Sequence, residues 1–161
     1  MKESASPAAH ELLFADLMMP VLFPANVQEV IDYALYGWAL SRFAGTWVGL
    51  KMIPDTIAAT SSVLGDVDRI QITTPSDMIF PEDGVSLRVP DHYRNQEART
   101  RHFKIPAAIA FARANKINRV THSSPNPRYG IMATGKAWTD VCQALDEMGL
   151  NEERLSDLGI T

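Results

Sequence analysis

The sequence predicts an α/β protein, in which a parallel or mixed sheet carries helices on its faces in a three-layer-like arrangement. Two observations predict it. Residues 20–52 run from a short apolar segment through a long amphipathic segment to a β-rich segment, the order of a strand, a crossover helix and a parallel strand. Residues 130–134 are apolar and precede a second amphipathic segment, which indicates the start of a second α/β domain near the end of the chain.

The N-terminal elements follow from capping signals and hydrophobic spacing. A polar lead-in, a short helix over 10–18 and a strand over 21–23 come first. Asn26 is placed to cap the next helix, Glu29 stands three residues later, and Gly45 occupies a C-terminal cap position. Between these caps, apolar residues recur at helical spacing: Val27, Val30, Ile31, Ala34, Leu35, Trp38 and Ala39.

The middle of the chain is less regular. Residues 54–62 are predicted to form a short helix or a loop, and alternating patterns predict strands at 70–73 and 85–89. Residues 91–114 have a helical pattern, which Pro106 should kink or restart. The polar, proline-rich segment 122–127 is typical of a linker, and we expect a domain boundary there.

The C-terminal elements resemble the opening of a sheet. A helix over 136–148 ends at Gly149, Asn151 can cap another short helix, and 158–161 has the composition of a strand entry. The apolar stripe of the first of these helices predicts burial of the residues that form it: Trp138, Val141, Cys142 and Leu145. One strand and two helices cannot bury a sheet face alone, so we expect a truncated domain and hence a fragment of a longer protein.

Residues 130–136 fit the phosphate-loop pattern G-x-x-x-x-G-K, but Ala137 follows where Ser or Thr should hold Mg²⁺. The intervening Ile, Met, Ala and Thr predict a buried strand rather than a loop that wraps a phosphate. Thr134, Gly135 and Lys136 then lie where a strand meets a helix, a place where α/β folds bind ligands. A tight turn with a solvent-facing lysine is the favoured interpretation, because most turns between a strand and a helix bind no ligand.

Composition bounds the function. The chain has 161 residues, of which 46% are apolar and 21% charged, with a formal net charge of -4. Eight of the fifteen Lys and Arg lie in 88–119, and the acidic balance favours a solvated helix face there over a nucleic-acid surface. The sequence has one cysteine, no transmembrane run and no signal-peptide core, which predicts a cytoplasmic protein without a disulfide or a cysteine metal site.

Single residues offer few functional candidates. Arg42 and Lys51 flank the second strand and face a cofactor cleft or form surface ion pairs. The ten-residue separation of His92 and His102 has no zinc-site logic. Solvent exposure is the expectation for His10 and His122, and burial is the expectation for the tryptophans, which are Trp38, Trp47 and Trp138.

Five segments, in order, resemble the bacterial indolepyruvate:ferredoxin oxidoreductases of the fused type. They are PVLFPANVQE at 20–29, ALSRFAGTWVGLK at 39–51, FARAN at 111–115, YGIMATGKA at 129–137 and DVCQALDEMG at 140–149. The resemblance covers nearly the whole chain. It implies that 1–66 is the end of a pyrimidine-type thiamine-diphosphate domain, that 67–127 connects, and that 128–161 starts a transketolase C-terminal-like domain.

The resemblance implies a parent enzyme that oxidatively decarboxylates an aryl 2-oxoacid to an acyl-coenzyme A and passes electrons to ferredoxin. Its cofactors would be thiamine diphosphate, Mg²⁺ and iron–sulfur clusters. No Gly-Asp-Gly…Asn string and no cluster of cysteines occurs in this sequence, so no catalytic, cofactor-binding or metal-binding residue carries over. We therefore expect an inactive portion that packs against the other parent domains and self-associates. The alternative is a free-standing interaction module derived from the same family.

Overall fold

The computed structural model describes residues 10–89 and 91–161, and the polar lead-in predicted for 1–9 lies outside them. The described chain is rich in helix around one two-stranded parallel sheet, which is compatible with the predicted α/β class. The strands are β1 (Val21–Leu22) and β2 (Gly49–Leu50). The α-helices are α1 (Glu11–Asp16), α2 (Val27–Ala44), α3 (Pro54–Ala58), α4 (Tyr93–Arg99), α5 (Ile105–Ala114), α6 (Lys136–Glu147) and α7 (Glu152–Leu158).

The predicted strand–helix–strand unit is confirmed. Strand β1 pairs in parallel with β2, with Val21 opposite Gly49 and Leu22 opposite Leu50, and α2 makes the crossover between them. The sheet is short because each strand has only two paired residues.

Both predicted caps of α2 are confirmed. The Asn26 side chain accepts a hydrogen bond from the Glu29 N–H at 2.9 Å. Glu29 reaches back one residue beyond the usual capping box, since its Oε2 accepts from the Ala25 N–H at 2.8 Å. Gly45 has a left-handed φ of 64°, and its N–H donates to the Ser41 carbonyl.

The core lies where α2 crosses α5. The side chains of Leu40 and Phe111 are almost fully buried, and alanines at the contact let the two helix backbones approach closely. These alanines are Ala44, Ala107 and Ala108. Residue Phe43 extends the core by packing its ring against Phe80 and Phe111.

Pro106 restarts the helix as predicted. A π-helical turn, Thr100–Lys104, joins α4 to α5, and the Ile105 N–H donates to the Thr100 carbonyl five residues back. Proline has no N–H and clashes with the carbonyl four residues earlier, and a widened turn directly before it relieves that clash.

The strands predicted at 70–73 and 85–89 are wrong. A 3₁₀ turn, Val67–Arg69, precedes the first segment, and the backbone of Thr73 bonds to the side chain of Asn115 instead of to a strand. In the second segment, Val85 packs against Gly45 at the end of α2. An alternating apolar pattern indicates an extended segment that buries one face. It does not show that a second strand lies beside that segment.

The C-terminal unit forms only in part. Helices α6 and α7 are confirmed, with Gly149 in the left-handed region and the Asn151 Oδ1 accepting from the Arg154 N–H at 3.0 Å. The buried strand predicted at 130–134 is wrong, because one parallel bridge, Tyr129 to Ile160, is all that forms there within the described residues. Met132 is 99% exposed, since no second layer covers this segment.

The predicted linker 122–127 packs against the end of the chain. Ser124 is buried, its N–H donates to the Thr161 Oγ1 at 3.1 Å, and its Oγ donates to the Ser156 carbonyl at 3.0 Å. The polar composition of this segment predicted a linker. The polar groups of Ser124 are instead buried and hydrogen-bonded, as buried polar groups in proteins usually are. The domain boundary remains a prediction.

Several burial predictions are wrong. Trp38 is 71% exposed and Trp47 is 84% exposed, because nothing in the described residues packs on the outer side of α2. Cys142 is exposed at the rim of the α6 stripe, whereas Trp138 is half-buried. His122 is also half-buried rather than solvated. Across 10–89 and 91–161, no helix has the length and hydropathy that a bilayer crossing needs.

Candidate functional site

A cavity of about 610 Å³ opens between α1, β1, α2 and α5. Its walls are mainly apolar, and they include Phe14, Met18, Phe23, Ile105 and Ile109. A concave, apolar site of this volume is within the range of small-molecule pockets in proteins. It can enclose an apolar or aromatic small molecule.

Four polar side chains also line this cavity: Tyr33, Arg101, Asn118 and Thr134. Burial raises the pKa of Tyr33, and the nearby charge of Glu29 raises it further. The Nε of Arg101 donates to the Glu97 Oε1 at 2.9 Å. Among residues 10–89 and 91–161, no carboxylate, histidine or cysteine side chain lines the cavity.

The turn at 134–136 is closed by packing. Gly135 has a φ of 57° and lies against the Phe23 ring, which a Cβ at this position would meet at 2.7 Å. Lys136 forms an ion pair with Asp140 one helical turn later, and this hydrogen bond raises its pKa. Among the preceding residues, Ile131 donates its N–H to the Thr161 carbonyl at 2.8 Å. The arrangement is that of a tight turn with an outward lysine.

Lys51 is held at the surface. Its Nζ forms an ion pair with Glu11 and lies 4.6 Å from the centre of the Phe23 ring. The ion-pair interpretation of Lys51 is therefore confirmed. Arg42, the other residue of that prediction, is exposed near the end of α2.

The basic stretch within 88–119 is tied to nearby acids and carbonyls. Arg99 and Arg88 both bind Asp83, and their hydrogen bonds, that of Arg99 first, hold the pKa of Asp83 well below its usual range. Lys104 donates to the Gly45 carbonyl at 2.8 Å, and burial lowers its pKa. This lysine satisfies a carbonyl at the C-terminal end of α2, where a cation is favourable.

His92 has a local structural role that sequence reasoning missed. Its Nδ1 accepts from the Arg94 N–H at 3.3 Å, so it caps α4, and its ring packs on Tyr93 at 4.2 Å between centres. Across residues 10–89 and 91–161, no group of three or more His, Cys, Asp or Glu side chains is placed to hold a metal.

The outer side of α2 is a second apolar surface. Ile31, Leu35 and Trp38 form an exposed stripe at helical spacing, and Trp47 lies beside it. A shallow cavity of about 500 Å³ runs along this side, lined by Trp38, Trp47 and Ala34 among others. We call the surface formed by Ile31, Leu35, Trp38 and Trp47 the outer face of α2.

Sequence reasoning missed this outer face although its signal was present. A helix whose apolar residues surround it on all sides is typical of a helix buried between two layers. The inner side of α2 carries Leu40 and Ala44 in the core, and the opposite side is also apolar. The pattern therefore predicts two packing surfaces, of which the described chain fills one.

Two comparisons with known proteins find similarity to indolepyruvate oxidoreductases. Residues 119–161 match the family described as the indolepyruvate oxidoreductase domain. The chain is also 27% identical, over 149 residues, to the indolepyruvate oxidoreductase subunit IorA of Methanothermobacter thermautotrophicus. That match covers 89% of the chain and 22% of the relative.

Both matches confirm the resemblance to the indolepyruvate oxidoreductases, and the fused type remains a prediction. The chain spans about a fifth of the length of its curated relative, with 22% covered. No solved structure matches the chain.

Proposed function

We propose that this chain is a non-catalytic portion of an indolepyruvate-type 2-oxoacid:ferredoxin oxidoreductase, in which it supplies packing surface to the other domains. The observation that carries this proposal is the outer face of α2. Isolated monomers rarely expose a contiguous apolar surface that includes two tryptophans, and such a surface marks an interaction site. The family resemblance indicates which assembly it serves.

In such an enzyme, thiamine diphosphate with Mg²⁺ and iron–sulfur clusters supply the decarboxylation and electron transfer, and coenzyme A and ferredoxin accept the products. The residues of this chain do not fit those groups. Within the part of the chain that the structure describes, no carboxylate lines the 610 Å³ cavity to hold a Mg²⁺–diphosphate, and a single cysteine cannot hold a cluster. We assign these groups to other parts of the parent enzyme. We also propose that the assembled enzyme is cytoplasmic.

The native gene offers a direct test. If its reading frame continues into a Gly-Asp-Gly…Asn motif and clustered cysteines, the chain is part of an oxidoreductase. A start at Met1 and a stop after Thr161 would contradict this proposal and favour the free-standing interaction module.

A biochemical test uses the outer face. We expect Trp38→Glu to abolish association of this chain with the other domains of the parent oxidoreductase, because the substitution places a charge in the centre of the contact. Ile79→Glu is the matched control, since Ile79 is 85% exposed and does not line the cavity beside Trp38 and Trp47. Association is followed by sedimentation velocity, because Trp38→Glu removes a tryptophan that a fluorescence shift would report. Equal association of the two variants would show that the outer face is not the contact.

Nucleotide binding through 130–136 is the weaker alternative. The extended segment and the Lys136–Asp140 ion pair give it no phosphate cradle. We expect millimolar Mg–ATP to leave the melting temperature unchanged. A rise that Lys136→Ala abolishes would establish this alternative instead.

A further inference from the structure

The apolar cavity between α1, β1, α2 and α5 is elongated. Its lining follows one face of α5, where Ile105, Ile109 and Ala112 recur at helical spacing. Arg101 lines the cavity in the turn before this helix, and Asn118 lines it after the helix ends. Because α5 has 10 residues, it is about 15 Å long. The cavity therefore has two well-separated ends.

The cavity is too narrow to take up a helix. Its volume of about 610 Å³, spread over a length of about 15 Å, corresponds to a cross-section of about 40 Å². An α-helix with its side chains is about 10–12 Å across, which corresponds to a cross-section of about 80–110 Å². An extended chain of methylene groups is much thinner than a helix, and it fits along the cavity.

The walls of the cavity suit a flexible apolar chain. Met18 and Met19 line it directly after α1, and unbranched thioether side chains adapt to the shape of a ligand. Phe14, Leu22 and Ile117 add further apolar wall. Removing methylene groups from water against such a wall favours binding, so affinity should increase with the length of the chain.

The two ends of the cavity differ in charge. Arg101 places a guanidinium at one end, and Asn118 is uncharged at the other. The Nε of Arg101 donates to the Glu97 Oε1 at 2.9 Å, which engages one of the five N–H donors of the guanidinium. Among residues 10–89 and 91–161, no carboxylate lines the cavity. The Arg101 end therefore favours a carboxylate head group, which a guanidinium binds through two parallel hydrogen bonds.

We propose that this cavity binds a long-chain aliphatic carboxylate, with the carboxylate at Arg101 and the chain extended along α5 toward Asn118. The chain fills the narrow apolar volume, and the guanidinium donates to the carboxylate oxygens. Glu97 competes with the ligand for Arg101 and weakens its binding. The site is the cavity and not the outer face of α2, so the inference goes beyond the proposed function.

Isothermal titration calorimetry of the purified chain with dodecanoate tests this site. We expect saturable binding below the concentration at which micelles form. Dodecyltrimethylammonium has the same chain with a positive head group, and phenylacetate has a carboxylate on a short body. Each should bind more than about tenfold more weakly than dodecanoate. Absence of dodecanoate binding, or equal affinity for either of the other two ligands, would overturn the proposal.

Three surface variants test the position of the head group. Arg101→Gln should weaken dodecanoate binding by about tenfold, and Glu97→Gln should strengthen it, because the guanidinium loses its competing carboxylate. Arg94→Gln is the matched control, since it also removes one positive charge but Arg94 is exposed and does not line the cavity. Arg101 is itself exposed, so its substitution leaves the core intact. Equal affinity of the Arg101 and Arg94 variants would contradict the assigned site.

A second set of variants tests the position of the chain. Ala112→Leu fills part of the cavity and should weaken dodecanoate binding by more than about tenfold, whereas Ala114→Leu, at an exposed position of the same helix, should not. Trp38→Glu should also leave binding unchanged. Binding that Trp38→Glu abolishes and Ala112→Leu does not would move dodecanoate to the outer face of α2. That result would overturn the cavity site and leave the proposed function standing.

Discussion

The units at 21–50 and 129–158 share one local pattern, an apolar segment followed by an amphipathic helix, but only the first unit packs into the core. In the first unit, α2 packs on α5 around Leu40 and Phe111. In the second, Leu155 is buried while Met132 lies in solvent.

This difference shows which features of the structure the local sequence pattern does not determine. Capping and hydrophobic spacing form helices in both units, because these effects act within a few residues. Burial of the strand requires a second layer, which long-range contacts must provide. The first unit receives that layer from α5, and the second has no equivalent among the described residues.

Truncation of the shared core should have the largest effect. We expect Phe111→Ala to lower the free energy of unfolding by about 3–5 kcal/mol, because the ring is 1% exposed and its removal leaves a cavity. Met132→Ala, the control in the other unit, should change it by less than about 0.5 kcal/mol at a dilute, monomeric concentration. Urea unfolding measures both, and similar losses would contradict the difference between the units.

An intermediate effect is expected where the two units touch. Gly135→Ala should cost about 1–3 kcal/mol, because its Cβ would meet the Phe23 ring at 2.7 Å in addition to the strain of a positive φ. Gly84→Ala is the matched control: its φ is also positive, at 77°, but a Cβ there meets nothing within 4 Å.

Thermal unfolding of a double variant separates crowding from strain at Gly135. Removing the ring with Phe23→Ala should lower the cost of Gly135→Ala relative to the unchanged chain, since the three atoms nearest to the added Cβ all belong to Phe23. Strict additivity of the two substitutions would show that the ring does not crowd this turn.

The smallest effect should come from the ion pair of Asp32 with Arg69, whose Nη1 lies 3.0 Å from the Asp32 Oδ2. Burial pushes the pKa of Asp32 upward, but hydrogen bonds from Arg69 and Gln28 and the charge of Arg69 outweigh it, so the pKa lies below its usual value. Asp32→Asn should cost at most about 1 kcal/mol at neutral pH.

The pH dependence of this pair follows from the lowered pKa. A carboxylate whose pKa is lowered in the folded state stabilises the fold at pH values above its unfolded-state pKa of about 3.9. This contribution is lost as the pH falls through the folded-state pKa. The difference in unfolding free energy between Asp32→Asn and the unchanged chain should therefore vanish in acid. A difference that stays constant from pH 7 to acid would contradict the assignment, and denaturant titrations across this range measure it.

The sequence predicted those features that depend on neighbours along the chain. Asn26, Gly45 and Asn151 cap the helices as expected, and the parallel pairing of β1 with β2 followed from the intervening helix length. The break at Pro106 was also predictable, since proline has no N–H. Its form, a π-helical turn, was not.

Features that depend on distant partners were not predictable. Thr73 bonds to Asn115 across 42 residues, so an alternating pattern there did not become a strand. The tryptophans on the outer face of α2 were expected in the core, because hydrophobicity predicts packing but does not show whether a partner is present. The outer face of α2 was missed as a candidate interaction surface for the same reason.

Native-state hydrogen exchange tests most directly whether the two units differ in enclosure. In a dilute, monomeric sample, the amides of Leu40 and Phe111 should exchange only through global unfolding, and those of Gly130 and Met132 at nearly the rate of an unstructured chain. Equal protection of the two sets would show that the segment 130–134 is enclosed, and would contradict the account.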